Sequence, residues 1–244
     1  MLLNPPLPDT ADLRQYAISQ VVELPLIQRC GAGDPIAIKA LLCGFWPFVL
    51  DFQSIVRNDT FFPMNPIISR FGRAAVVQAI RHIKQSLHHM AEEEGMHAEI
   101  WRKGAQEAGF TDYDLQFYRL PAVEALINFT SNNTPSSPEP HLFFCHLAAT
   151  EYVAEEISRF LVQQQAFVSR FRQSGRWQWG DIHLLDHAHG PSHREIDEDL
   201  AQAFCSHPDP ADAVMNGIRH CIELFSIAGR ESLDVFESEM LSMA

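Results

Sequence analysis

What this chain has least of is basic charge: 18 lysines and arginines stand against 31 aspartates and glutamates, a formal net charge of −13. A field of that sign repels nucleic acid and anionic lipid, and no Lys/Arg cluster opposes it, so DNA, RNA and membranes are excluded as expected partners. Long apolar runs are scarce too. No stretch approaches the roughly 18 uninterrupted apolar residues that a membrane span requires. Paired cysteines are missing: Cys30, Cys43, Cys145, Cys205 and Cys221 form no CxxC, and an odd number scattered over 244 residues argues against a disulfide framework. The opening "MLLNPPLPDT" has no basic region followed by an apolar run, so no secretory signal is expected. A reducing cytoplasm is the expected compartment. Alternating residues flanked by hairpin turn signals are also absent, which leaves no basis for strands.

What is present is helical periodicity near 3.6 wherever the chain is regular, with 46% hydrophobic residues to build a core. The expected fold class is all-α, a single domain over 1–244 of about seven or eight helices, with no internal repeat and no linker. "GDPIAIKALLCGFWPFVLDFQSIV" opens with Asp34 as N-cap and Pro35 at the first helical position, and Pro47 should kink that helix. After the Pro-rich "FFPMNPIISRFG", a long helix should run from about Ile67 to beyond Trp101, with Gly109 ending it or its continuation. "PAVEALINF" reads as a shorter helix and "TSNNTPSSPEP" as a loop. Next come the helical "HLFFCHLAATEYVAEEISRFLVQQQAFVSRF", the irregular "QSGRWQWGDIHLLDHAHG", a helix entered at Pro191, and a last helix after "HPDPADAV".

Polar residues intrude on three of these apolar stripes. Stepping by three and four along the long helix gives Ile80, Ile83, Leu87, Met90, then Glu94 and His97, then Trp101, all on one face. A buried, unpaired carboxylate there costs several kcal/mol or takes up a proton, so a cation or hydrogen-bond donor should meet it. The E-x-x-H spacing suits a shared metal ion, as in carboxylate-bridged iron bundles, and Glu93 is an alternative to Glu94. Against this stands the plain reading of "EEE" as a solvated acidic turn. In "FFCHLAATEYVAEE", Glu151 shares a face with Phe144, Leu147, Ala148 and Ala154, whereas Glu155 and Glu156, beside Ser158 and Arg159, read as more solvated. In "HREIDEDLAQAF", His193 and Asp197 share a face with Leu200 and Phe204. Clustered titratable groups on three helices point to one site.

With these residues in view, the pattern resembles the haem-oxygenase-like helical bundles, among them thiaminase II (TenA), pyrroloquinoline-quinone synthase (PqqC) and the chlamydial death-domain-associating protein CADD. It is closest to the CADD-like iron oxidases. The resemblance covers most of the chain from "FWPFVLDFQ" onward. "EEEGMHAEIW" resembles the group's E-E-x-G followed by H-x-x-L-W, "ATEYVAEEI" its third-helix glutamate segment, and "HREIDEDLAQAF" its H-x-x-x-D-x-x-H. Iron-dependent members hold two irons with three histidines and three carboxylates and activate dioxygen. The resemblance therefore implies one or two iron ions on Glu94 (or Glu93), His97, Glu151, His193 and Asp197, with dioxygen and a small substrate such as an amino acid, fatty acid or aromatic compound. The last histidine of the pattern falls on Leu200, which cannot ligate. Either the register is shifted or Asp186, His187, His189 or His183 supplies the donor.

Two other functions fit the same resemblance. A metal-free, thiaminase-like enzyme would need a cysteine nucleophile, for which Cys145 is the one candidate, although Phe143, Phe144 and Leu147 around it suggest a packed thiol. A non-catalytic adaptor or ligand carrier is the third. Ferritin-like storage repeats E-x-x-H on two helices, and here it occurs once. His82, His88, His89, His146 and His220 are read as structural or solvated, and Trp46, Trp177 and Trp179 as packing residues. A homodimer is the default oligomeric state.

Overall fold

The computed structural model describes residues 3–57, 64–133, 138–184 and 192–243, and those residues contain helices and no strand. In chain order they are α1 (Thr10–Ala17), continued by a π-helical turn (Ile18–Val22), α2 (Pro25–Gly31), α3 (Pro35–Gly44), α4 (Trp46–Arg57), α5 (Met64–Phe71) and α6 (Arg73–Glu107). There follow α7 (Asp112–Phe117), α8 (Pro121–Asn132), α9 (His141–Leu161), α10 (Gln165–Val168), α11 (Gln178–Ile182), α12 (His193–Phe204) and α13 (Pro210–Met243). The all-α expectation holds, but the described elements outnumber the seven or eight expected.

Local chemistry explains the extra breaks. Gly33, at φ 79°, closes α2, with its amide bonded to the Cys30 carbonyl and that of Asp34 to the Arg29 carbonyl. Asp34 then caps α3 as expected, accepting from the amides of Ile36 and Ala37 at 2.8 and 3.4 Å. Pro47 does not kink a continuous helix. The chain breaks at Phe45, and Pro47 falls in the first turn of α4, where its missing amide costs nothing. Gly72, at φ 81°, splits the helix expected from Ile67 into α5 and α6. Gly109, at φ 100°, ends α6 as expected, with the amides of Gly109 and Phe110 bonded to the carbonyls of Gln106 and Ala105. The segment beyond Leu161 leaves α9 and forms the separate α10, and the irregular stretch before α12 contains α11. Ser192 caps α12 reciprocally with Glu195. Pro191, Asp186, His187 and His189 lie outside the described residues, as do the side chains of Ile80, His82, Ile83, Leu87 and His89.

The core runs from Leu7 to Phe236, and α9 lies inside it, packed chiefly against α12 and α13. Residues Pro35–Val56 are long and apolar enough, by length and composition, to cross a membrane, which the absence of an uninterrupted apolar run does not reveal. Two-thirds of that stretch is buried in the bundle and it is broken at Phe45, as befits core helices.

Candidate functional site

The three intruding motifs lie on α6, α9 and α12, whose packing brings them to one place. On α6, Gly95 sits under Gln53 of α4: a Cβ there would run into the Gln53 amide, which donates to the Ala91 carbonyl at 3.0 Å. Glycine between Glu94 and His97 therefore lets α4 approach. Trp101 is anchored one turn on, its indole N–H donating to the Leu42 carbonyl at 2.9 Å. Glu94 is 7% exposed and has an oxygen 3.2 Å from Nδ1 of His97, a short ion-pair distance without hydrogen-bond alignment.

His193, at the start of α12, links the other two helices. Its Nε2 is 3.2 Å from a Glu93 oxygen and its Nδ1 is 3.9 Å from a Glu151 oxygen. Glu93 and Glu94 thus serve different neighbours, and the choice between them dissolves into a division. Asp197, one turn beyond His193, is fully buried, and neither of its carboxylate oxygens has a hydrogen-bond partner among the described residues. The five residues expected to ligate stand close together, although among the described residues no three His, Cys, Asp or Glu side chains are already arranged to enclose a metal ion.

Their protonation reflects crowding. Burial, then the Glu94 charge, pushes Glu151 up to about 8. Asp197 is raised well above the usual range by burial and by the charges of Glu151, Glu198 and Glu94. Burial opposes charging His97, but the carboxylates of Glu94, Glu151 and Glu93 outweigh it and raise its pKa. The cluster is short of positive charge.

Glu156 lies elsewhere than its sequence neighbours suggest, and Trp177 and Trp179 matter more than packing residues would. Glu156 is 5% exposed and Ser158 fully buried, so that turn of α9 is not the solvated one; the half-buried Glu155 pairs with Arg14 and Arg159. His183, at the end of α11, has its ring centroid 4.9 Å from that of His97 and 3.9 Å from that of Trp179. Burial, then the proximity of His97, lowers its pKa to about 3. Trp177 and Trp179 are more than packing, since both line a cavity of about 70 Å³ that opens beside the cluster. That space admits several waters or part of a ligand. Glu94, Glu151, Thr150 and His183 form its polar wall, and Val21, Leu24, Phe48, Phe52, Ile157 and Phe225 belong to an otherwise apolar lining. In the sequence His183 stands only as one of four alternatives, with Asp186, His187 and His189, for the donor missing at Leu200. His146 is a core residue, fully buried, bonded through Nδ1 to Thr130 Oγ1 at 2.7 Å and ringed by Phe48, Phe129 and Phe225.

Cys145 lies away from this cavity. It is fully buried, its Sγ–H points at the Val214 carbonyl at 3.7 Å, and burial raises its thiol well above the ordinary value. Such a thiol is poorly placed as a nucleophile.

Among solved structures, the chain is similar to a TenA homologue from Pseudomonas syringae pv. tomato, with a TM-score of 0.70 and 17% identity over 96% of this chain and 98% of that one. No family model and no curated protein matches the sequence. The chain therefore has the all-α fold of that TenA homologue. The likeness is one of fold, and the CADD-like branch suggested by the motifs is not singled out by it.

Proposed function

We propose that this chain is an iron-dependent oxidoreductase that activates dioxygen on a small organic substrate with an apolar body. The observation that carries the reading is Asp197: a fully buried carboxylate with neither oxygen hydrogen-bonded among the described residues, near Glu151 and Glu94 from two other helices. A buried carboxylate is kept when something compensates it, and among the described residues no lysine or arginine pairs with Asp197. A divalent cation would satisfy its oxygens, Glu94, Glu151 and the imidazoles of His97 and His193 together. The donor set of carboxylate oxygens and imidazole nitrogens, without thiolate, fits iron.

Iron held there would supply the electrons with which dioxygen attacks an organic substrate. The protein's own groups do the remaining work. Glu93, 3.2 Å from Nε2 of His193, orients that ring as outer carboxylates orient ligating histidines elsewhere, and Nδ1, on the Glu151 side, is the nitrogen that would face the ion. The cavity's apolar lining excludes water and receives the substrate's hydrocarbon part, which favours fatty acids and aromatic compounds over polar amino acids.

Anaerobic titration with Fe(II), followed by metal analysis, tests the proposal. Wild-type protein should bind iron near stoichiometrically and change its absorption on exposure to air. His97→Ala should lose most of that iron. Wild-type protein that binds no iron sinks the reading.

A further inference from the structure

The iron reading leaves a gap on α12. Leu200, at the position where the resembled pattern has its last histidine, is 2% exposed and belongs to the core. It has no donor atom. A third imidazole must come from another element if the site is to match its carboxylates.

His183 meets the requirement from outside α12. It lines the same cavity wall as Glu94 and Glu151, with its ring centroid 4.9 Å from that of His97. Its Nδ1 is 2.8 Å from the Trp179 carbonyl oxygen. A carbonyl oxygen only accepts, so Nδ1 carries the proton and Nε2 keeps its lone pair, the tautomer that a metal-bound imidazole adopts when a backbone carbonyl orients it. The platform beneath it is firm. Trp177, 1% exposed, packs against Phe167 and Phe171, and Gly180 of α11 lies so close to the Trp177 ring that a side chain there would collide with it. The Trp179 ring, 3.9 Å from that of His183, holds the imidazole plane.

We infer that His183, at the end of α11, supplies the imidazole donor that α12 lacks at Leu200. The inference rests on the iron reading and can fail separately from it. It makes His183 a ligand taken from the segment before the helix and replaces the family's helical position by a turn.

Cobalt(II), added under argon, is the probe, counted by equilibrium dialysis with metal analysis and read by its visible d–d absorption. His183→Phe keeps the ring packing on Trp179 and removes both nitrogens. The expected result is two ions per chain in the wild type and one in His183→Phe, with unchanged helical circular dichroism, and recovery of the second ion in His183→Phe/Leu200→His. A wild type holding one ion supports the inference if His183→Phe binds it at least tenfold more weakly. Equal counts and affinities in the two proteins overturn the role of His183 and leave the iron reading standing. A wild type that binds no cobalt and no iron overturns both. Should the variant not fold, proton NMR of the cobalt-loaded wild type decides: three exchangeable, strongly shifted imidazole N–H signals are expected, and two overturn the inference.

Discussion

Among the described residues Asp197 has no hydrogen-bond partner to leave stranded when it is replaced, and that property separates a ligand from a structural acid. In a buried network, removing one member of a pair costs several kcal/mol because the other remains unsatisfied. Asp197→Asn should therefore leave metal-free stability, measured by urea unfolding at neutral pH, within about 1 kcal/mol of wild type. Its iron affinity should fall at least tenfold. A large loss of metal-free stability would instead mark Asp197 as a structural residue. His146 makes a contrasting prediction, because it sits away from the cluster in an aromatic cage and burial lowers its pKa from 6.5 to about 3. The unfolded chain binds that proton more readily, so the stabilisation from keeping His146 neutral is whole above about pH 6.5 and is lost as pH falls toward about 3. The loss is roughly 1.4 kcal/mol per pH unit in that window. His146→Phe should flatten the wild-type urea midpoint between pH 6.5 and 4.5, and an unchanged slope would refute the assignment. At this scale the sequence was informative about type and weak about surroundings. The stripe positions of Glu94, His97, Glu151, His193 and Asp197 were legible from spacing alone. Glu156 was misplaced because a helical wheel cannot tell which of two adjacent faces other elements cover.

Helices were legible wherever their boundaries are set by local chemistry, as with Asp34 at the start of α3 and Gly109 at the end of α6. They were not where tertiary packing decides. Gly72 divides α5 from α6 although the apolar pattern runs through it, and α11 forms inside a stretch that has almost no periodicity, held by Trp177 against Phe167 and Phe171. Gly95 shows the same coupling between elements. Alanine would ordinarily strengthen a helix interior by about 1 kcal/mol relative to glycine. Here its Cβ would meet the Gln53 side chain of α4, so Gly95→Ala should destabilise the protein by about 1–3 kcal/mol, the usual cost of overpacking. Adding Gln53→Ala should relieve the collision. A double-mutant cycle by thermal or urea unfolding measures the coupling, and strict additivity would show that α4 does not approach α6 through this glycine.

The bundle as a whole has a chemical polarity that no single helix possesses: α6, α9 and the end of α11 bring Glu94, Glu151 and His183 to one wall of the cavity, while the π-helical turn after α1, with α2, α4 and α13, contributes an apolar surround. The two parts should be separable by substitution. Gly229 of α13 lines the cavity, and a Cβ there would lie 2.9 Å from Leu24 Cδ1 and 3.6 Å from Leu26 Cδ2. Both contacts are with the ends of side chains that can shift, so Gly229→Val should fold with a cost of about 1–3 kcal/mol while filling part of the apolar space. An aromatic carboxylate such as benzoate, followed by isothermal titration calorimetry, should bind the wild type in that space and bind Gly229→Val at least tenfold more weakly. Iron stoichiometry should be the same in both, because Gly229 contacts none of the proposed ligands among its nearest neighbours. Equal affinity for the probe would mean that the substrate's hydrocarbon part lies elsewhere. Loss of iron together with the probe would mean that the apolar and polar parts of the cavity do not act independently.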